Sequence, residues 1–314
     1  MANNQKIEWI DALKTIGILA VILGHIASPL SGFIFSWHMP LFFIIAGFFI
    51  KTNISFKESV VKDFQRLMIP YFIFVFIGLG ADYLKRIALH REQLNYLDEI
   101  KGILLGMDMN SLIHHYGFVL WFLPALFFSR VVLAFIQKVS TNLAYNFLIV
   151  LAFFSLSFYI DLPFALDNAF NALLWVFIGF VFYRFYQESK ILYILPLIGL
   201  GILILLGMPT LDMATKNYSN IVINIFWAVS IIYTLIAVLK KIEYSKNISK
   251  IVTIWGGNTM LLFIAHPYTN NIASIISDKI HGDWYLKLLL SLILLQILLF
   301  IKLKFEGRGL FKYV

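Results

Sequence analysis

The sequence of 314 residues contains no cysteine and few charged residues. Without cysteine the chain cannot form a disulfide, a zinc–thiolate site or a cysteine nucleophile. Asp, Glu, Lys and Arg make up only 13% of the residues, whereas 61% are hydrophobic and the mean hydropathy is +0.85. A soluble domain of this length cannot bury so many apolar side chains. The composition therefore predicts an all-α, polytopic membrane helix bundle.

The apolar segments that are long enough to cross ~30 Å of hydrocarbon number about ten. They are residues 10–29, 33–50, 67–84, 117–136, 143–160, 164–183, 191–208, 221–239, 251–269 and 284–301. The sixth and ninth segments are the least regular, because the sixth contains Asp167 and Asn171 and the ninth contains Pro267. We expect one membrane-embedded domain over residues 1–314, without an appended soluble domain.

Lysine and arginine are distributed unevenly between the two sides of this predicted bundle. The connections on the side of the termini contain sixteen of them and the opposite connections contain six. By the positive-inside rule, both termini are cytoplasmic in a multi-pass plasma-membrane protein. The formal net charge of +8 is then mostly an orientation signal, so that no nucleic-acid partner is expected.

One predicted extracytoplasmic connection, residues 85–116, is longer than the others. It mixes charged residues with leucine and isoleucine, a pattern typical of an amphipathic helix that lies along the membrane interface. A lid over a site and a surface helix without a catalytic role are both consistent with this pattern.

Three histidines are predicted at similar depth on three different helices. His25 lies 11 residues after Lys14, which places the two within about 20° of one helix face and roughly 16 Å apart along the axis. His38 lies at the outer start of the second segment, and His266 lies in the outward half of the ninth. Ionisable groups at membrane depth are costly, so they indicate a functional site. Either the three histidines line one cavity, or each hydrogen-bonds a neighbouring helix.

Three basic residues are predicted at the cytoplasmic end: Lys14, Arg66 and Arg130. Individually, each could anchor the chain at the lipid headgroups. Together they could form a basic vestibule for a phosphate-bearing cytosolic ligand. No metal site is predicted.

Several groups of residues occur along the chain in a distinctive order. They are residues 10–18 leading to Gly24 and His25, residues 37–43 with 46–48, residues 66–71, residues 120–123, and residues 257–259 with 265–267. In this order they resemble acyltransferase family 3, the integral membrane O-acyltransferases, and within it the fucose 4-O-acetylase-like branch. The spacing from Lys14 to His25, followed by the run from His38 to Phe43, is the most specific match. Lys14 stands where much of the family has arginine.

The resemblance implies transfer of an acyl group, most often acetyl from acetyl-CoA, to a hydroxyl of an extracytoplasmic or lipid-linked glycan of the cell envelope. Acyl-CoA is then a donor substrate, no cofactor is bound permanently, and enzymes of glycan assembly are expected partners. A neutral imidazole suits the general base that such a hydroxyl needs. The expected site residues are the catalytic His25, His38 and His266, the donor-binding Lys14, Arg66 and Arg130, and the acceptor-binding Trp37, Trp121 and Asn258.

Several alternatives stay open. Interfacial tryptophans often anchor a protein in the bilayer, so Trp37 and Trp121 could do this instead of stacking on a sugar. An exporter or flippase for a polysaccharide or lipid-linked sugar would also use broken helices and a polar path. A membrane subunit that passes acyl groups to a partner enzyme is a third reading. Direct transfer and an acyl-enzyme, and acetyl and succinyl donors, all fit the sequence.

Overall fold

The computed structural model describes residues 8–186, 189–305 and 307–314, and it is 78% helical. The α-helices are α1 (Glu8–Gly24), α2 (Ser31–Phe35), α3 (His38–Phe48), α4 (Phe56–Asp63), α5 (Ile69–Ala88), α6 (Tyr96–Lys101), α7 (Met109–Leu112), α8 (Phe122–Val139), α9 (Leu143–Leu156), α10 (Leu166–Val181), α11 (Leu195–Leu206), α12 (Ile221–Leu239), α13 (Lys246–Gly257), α14 (Thr259–Lys279) and α15 (Trp284–Lys304).

Short tighter or wider helical turns extend several of these helices. Turns of the 3-10 type are Tyr116–Trp121, Pro163–Ala165, Lys190–Ile194 and Gly309–Tyr313, and π-type turns are Phe64–Met68, Gly102–Gly106 and Phe182–Tyr186. The strands β1 (Leu211–Asp212) and β2 (Asn217–Tyr218) pair antiparallel and form a small hairpin. The predicted all-α class is therefore confirmed over the described residues, with this hairpin as the exception.

The predicted number of ten membrane spans is not established. Each of the ten apolar segments is largely helical, but among the described residues six helical segments are long and apolar enough to cross a membrane, or seven if α13 and α14 form one bent span. Helix α1 has 17 residues, α9 has 14 and α11 has 12. These helices are shorter than the roughly 20 residues that a perpendicular crossing needs.

Close helix packing at the centre of the bundle depends on glycine. A Cβ atom added at Gly47 of α3 would overlap the backbone of Val176 and Phe180 in α10. A Cβ atom added at Gly256 of α13 would likewise overlap the backbone of Asp11 in α1. Small residues at helix interfaces let two backbones approach in this way. These contacts fix α3, which carries His38, against α10, and they fix α13 against α1, which carries Lys14.

The ninth predicted segment is a broken helix. Helices α13 and α14 meet at an angle of 77° next to Asn258. The Asn258 side chain holds the break, because its Nδ2 donates to the Ile254 carbonyl at 2.6 Å and its Oδ1 accepts a hydrogen bond from Lys302. Pro267 lies inside α14, beyond the break.

The polar residues of the sixth segment hold the hairpin against α10. Asp167 forms an ion pair with Lys216, which lies between the two strands. The hydroxyl of Tyr218 donates to Oδ1 of Asn171 at 2.7 Å. Buried polar groups need such partners, so the hairpin explains why α10 tolerates these side chains.

The connection of residues 85–116 folds into short helices that pack one side against the bundle. Ile103 is fully buried and its carbonyl accepts a hydrogen bond from the Tyr71 hydroxyl at 2.8 Å, whereas Leu97 is 72% exposed. Its exposed apolar side is consistent with an interfacial position. The lid reading stays a prediction.

Candidate active site between two cavities

The three predicted histidines lie close together, and we call them the histidine cluster. His25 directly follows α1, His38 begins α3 and His266 lies within α14. The ring centroids of His25 and His266 are 5.0 Å apart. The ring of Phe35 joins the third member, because it is 5.5 Å from the ring of His25 and 5.1 Å from that of His38.

The backbone determines which ring nitrogen carries the proton in two of these histidines. Nδ1 of His38 is 2.9 Å from the carbonyl oxygen of Ile34, and Nδ1 of His266 is 2.7 Å from that of Phe263. A carbonyl oxygen only accepts hydrogen bonds, so each Nδ1 is the donor. In a neutral imidazole the lone pair then lies on Nε2. Nε2 of His266 is buried and has no partner among the described residues.

The three histidines differ in exposure. His38 and His266 are buried, whereas His25 is exposed. An edge-on contact with Phe118, at 5.9 Å between centroids, limits the orientation of the His25 ring. His25 is therefore the most accessible member of the cluster.

Hydrogen bonds between helices hold α14 beside α1. Nδ2 of Asn270, about one turn after His266, donates to the Ile22 carbonyl at 3.1 Å. Its Oδ1 accepts a hydrogen bond from the Ser291 hydroxyl of α15 at 2.6 Å. All these groups are buried. They keep His266 in register with the end of α1, where His25 is located.

A cavity of about 410 Å³ contains the predicted basic residues, and we call it the basic cavity. Its charged lining residues are Lys14, Asp63, Arg66, Arg130 and Lys312. Four cations thus face one carboxylate. This excess of positive charge, together with an apolar wall, suits a ligand that combines phosphate groups with an apolar part.

The two arginines of the basic cavity are held differently. Nε of Arg130 donates to Asp63 at 2.9 Å, and Nη1 donates to the carbonyl of Ala46 at 2.7 Å. Arg66 is exposed and forms no side-chain hydrogen bond or ion pair with any other residue that the structure describes. Arg66 therefore keeps its donors for a ligand, whereas Arg130 also joins α8 to α3 and α4.

Lys14 reaches the basic cavity from α1. Its ammonium group is 3.2 Å from Oδ1 of Asp11 and lies 5.5 Å from the centre of the Phe49 ring. Lys14 is the more exposed member of this pair, and an ammonium group has three donors. Lys14 can therefore contact an anionic ligand while it stays paired with Asp11.

Aromatic side chains separate the basic cavity from the histidine cluster. Phe122 and Phe263 line the cavity, and their ring centroids are 5.3 Å apart. The ring of Phe263 is also 5.8 Å from that of His266. A long donor group bound in the cavity would have to pass these two rings to reach His25.

A second, smaller cavity lies on the hairpin side of the cluster, and we call it the hairpin pocket. It has a volume of about 240 Å³ and is lined by Phe35, Thr210, Leu211, Asp212 and Asn217. Phe35 also contacts His25 and His38. The histidine cluster is therefore in contact with the hairpin pocket through Phe35 and with the basic cavity through Phe263.

The three predicted acceptor-binding residues line neither cavity. Trp37 is 5% exposed and Trp121 is 6% exposed, so both rings are largely packed within the protein. Asn258 lies at the break between α13 and α14, where Ile254 and Lys302 occupy its side chain. The structure therefore brings together the six predicted histidine and basic residues in two neighbouring groups, but not these three.

Several lining residues were missed by the sequence analysis. Lys312 was counted only among the basic residues that predict the orientation in the membrane. Asp63, Phe35 and Asp212 belong to no motif that would have identified them. Asp63 lies three residues before Arg66, which is a helical spacing that a search for neutralising carboxylates would have noticed. Phe35 and Asp212 become site residues only because the chain folds back on itself.

A family model described as an acyltransferase domain matches residues 7–302. The match covers the histidine cluster and almost all of the basic cavity, and it does not distinguish the fucose 4-O-acetylase-like branch. No curated protein and no solved structure matches the chain.

Proposed function

The chain belongs to acyltransferase family 3, and from this premise we propose that it moves an acyl group, by default acetyl, from cytosolic acyl-CoA to a hydroxyl of an extracytoplasmic or lipid-linked glycan. Membership of the family supports a membrane O-acyltransferase. The donor, the acceptor and the residue roles are our proposal.

One observation supports this proposal above the others: the basic cavity and the histidine cluster adjoin through the side chain of Phe263. The cavity offers cations for a phosphate-bearing donor, and the cluster offers neutral imidazoles for a hydroxyl acceptor. A two-substrate transfer needs both chemistries within reach of one reacting carbonyl.

We assign Arg66, Lys14 and Lys312 to the phosphate groups of the donor. Charge-assisted hydrogen bonds from these side chains would hold the donor at the cavity, and its acyl arm would extend past Phe122 and Phe263. The spacing of roughly 16 Å between Lys14 and His25 along α1 is suited to such an extended arm.

We assign His25 as the general base because it is the exposed member of the cluster. The acceptor oxygen attacks the thioester carbonyl carbon while the imidazole takes the hydroxyl proton. A carbon–oxygen bond forms, the carbon–sulfur bond breaks, and the proton passes to the leaving thiolate. His266 and His38 would orient the base. The ring of His266 adjoins that of His25, and its Nε2 has no partner among the described residues.

The charge asymmetry of the sequence supports a definite orientation of these parts. Under the positive-inside rule the basic cavity faces the cytoplasm, where acyl-CoA is found, and the hairpin pocket faces the opposite side. We propose the plasma membrane as the location, with cytoplasmic termini and enzymes of glycan assembly as partners.

The test uses the detergent-purified full chain with radiolabelled acetyl-CoA and glycan extracted from the cell envelope. Label should enter the glycan with stoichiometric release of free CoA. His25→Ala should lower transfer by about 10²–10⁴-fold, the range typical of a lost general base, without loss of folded protein. His281→Ala, an exposed histidine outside the cluster, is the matched control and should leave transfer unchanged.

Other outcomes would favour the competing functions. Retained transfer in His25→Ala would contradict the assigned base. Transfer of the labelled acetyl group to a partner enzyme, and not to glycan, would favour the membrane subunit that passes acyl groups on. The exporter or flippase would be favoured if the unaltered protein releases no CoA and, in reconstituted vesicles, moves glycan across the membrane.

A further inference from the structure

The hairpin pocket combines an aromatic ring with hydrogen-bonding groups. Phe35 supplies an apolar face, and Thr210, Asp212 and Asn217 supply a hydroxyl, a carboxylate and an amide. Its volume of about 240 Å³ is smaller than the roughly 300–1,000 Å³ of sites for drug-sized ligands. A sugar ring has an apolar face and a rim of hydroxyls, so one ring of this kind matches both the size and the lining.

Asp212 keeps acceptor capacity for a ligand. Its Oδ1 accepts from the backbone N–H of Ala214 at 2.9 Å, and its Oδ2 accepts from the Thr215 hydroxyl at 2.9 Å. A carboxylate has about four acceptor positions, so each oxygen retains one. Asp212 shares the pocket with Phe35, whose ring centroid lies 5.5 Å from that of His25, so the carboxylate lines a pocket that adjoins the proposed base.

The pocket is preformed because hydrogen bonds from α10 and α12 fix the hairpin. Nδ2 of Asn224 donates to the Thr210 carbonyl at 2.9 Å, and Nδ2 of Asn168 donates to the Ala214 carbonyl at 3.0 Å. Lys216 pairs with Asp167 of α10. A site held in this way spends little binding energy on ordering its own side chains.

We propose that the hairpin pocket is the acceptor subsite and that it binds one hydroxyl-rich sugar ring. Phe35 lies against the apolar face of the ring, and Asp212 accepts a hydrogen bond from a ring hydroxyl, so that a neighbouring hydroxyl points to His25. Phe35 thereby takes the stacking role that the sequence suggested for Trp37 and Trp121. This assignment rests on the proposed acyltransferase function.

The test uses the purified full chain, labelled acetyl-CoA and a panel of methyl hexopyranosides as probes. Asp212→Asn keeps the side-chain shape, and its amide oxygen can still accept from Ala214. The variant should raise the KM for the best glycoside about tenfold or more, since a hydrogen bond to a charged group is lost. The KM for acetyl-CoA, and CoA release to water without sugar, should stay within about threefold of the original values.

Asp278→Asn is the matched control, because Asp278 is exposed, pairs with Lys287 and lies outside both cavities. It should change neither KM value. An unchanged glycoside KM in Asp212→Asn, with the unaltered protein active on the probe, would overturn the subsite and leave the proposed function intact. A parallel loss of CoA release to water would also overturn it, because Asp212 would then act on His25 and not on the acceptor.

Two results with the unaltered protein separate the subsite from the function on which it rests. CoA release to water without acylation of any glycoside would overturn a sugar ring as the occupant of the hairpin pocket. No CoA release under any condition would overturn the acyltransferase function itself, and the subsite with it.

Discussion

Nδ1 of His266 donates to the carbonyl oxygen of Phe263 at 2.7 Å, three residues earlier in the same helix. That carbonyl lacks its usual helical donor, because the residue four positions later is Pro267, which has no N–H. The proline thus leaves an acceptor that fixes the ring of His266 and directs the Nε2 lone pair away from the backbone.

Replacing Pro267 with alanine should separate stability from activity. The new N–H would donate to the Phe263 carbonyl and compete with Nδ1 of His266. We expect transfer to fall about tenfold, the effect of roughly 1.4 kcal/mol, while the midpoint of thermal unfolding stays equal or rises. Pro196→Ala is the control, since Pro196 lies in the first turn of α11, where no helical N–H is needed. Unchanged transfer in Pro267→Ala would mean that the ring is oriented by other contacts.

The two arginines of the basic cavity should respond differently to substitution. Arg66→Gln removes donors that no described residue uses, so the KM for acetyl-CoA should rise about tenfold with normal folding. Arg130→Gln leaves the buried Asp63 without its ion-pair partner, which typically costs about 3–5 kcal/mol. Thermal unfolding and steady-state kinetics in detergent distinguish these outcomes.

Lys57→Gln serves as the control for Arg66→Gln, because Lys57 is exposed on α4 and does not line the cavity. It removes the same charge and should leave the KM for acetyl-CoA unchanged. An equal rise of the KM for acetyl-CoA in both variants would show that the donor is attracted only by the overall positive charge of the predicted cytoplasmic end.

The close approach of α3 to α10 predicts a strong effect of a single methyl group. Gly47→Ala would place a Cβ atom on the backbone of Val176 and Phe180. Overpacking of this kind typically costs about 1–3 kcal/mol, so the midpoint of thermal unfolding should fall. Gly80→Ala is the control, because its added Cβ has no neighbour within 4 Å. It should leave the midpoint unchanged or raise it, as alanine favours helix.

Stability should fall in acid partly because of His115, which lies outside the membrane-crossing helices. Burial lowers the pKa of His115 from 6.5 to about 4. Between these values the unfolded chain binds a proton at this residue and the folded chain does not. The contribution of His115 to the free energy of unfolding is therefore fully present above pH 6.5. It is lost as the pH falls towards 4, by on the order of 3 kcal/mol.

This pH dependence can be measured with two matched variants. His115→Gln should make the loss of the unfolding midpoint between pH 6.5 and pH 4 shallower. Glu99, whose Oε2 lies 3.9 Å from Nε2 of His115, has a pKa raised by burial, so its contribution has the opposite sign. Glu99→Gln should make the loss on acidification steeper. Identical pH profiles for all three proteins would contradict the role of His115.

Much of the candidate site followed from local sequence properties. Helical spacing predicted one face for Lys14 and His25, and His25 lies directly after the last residue of α1. The apolar segments predicted the depth of His38 and His266. The structure places these histidines together and gathers Lys14, Arg66 and Arg130 in one cavity. Their catalytic and binding roles stay predictions.

Other parts depended on contacts between distant segments. Trp37 and Trp121 were placed at an acceptor site because tryptophan often stacks on sugars, yet both are packed within the protein. Phe35 and Asp212 line the hairpin pocket although they are far apart in sequence. The count of ten membrane spans stays a prediction, because hydropathy does not show where a helix ends, bends or breaks.

The sequence by itself determined that the chain is a helical membrane protein and which family it belongs to. These properties depend on composition, on the length of the apolar segments and on the spacing of motifs. The tertiary structure decided which polar groups meet. The bend next to Asn258 is joined to α15 through Lys302, and the hairpin is joined to α10 through Lys216 and Asp167. Both contacts connect segments that are distant in sequence. Residues far apart along the chain come together only through the tertiary fold, and no local periodicity of the sequence encodes the distance between them in space.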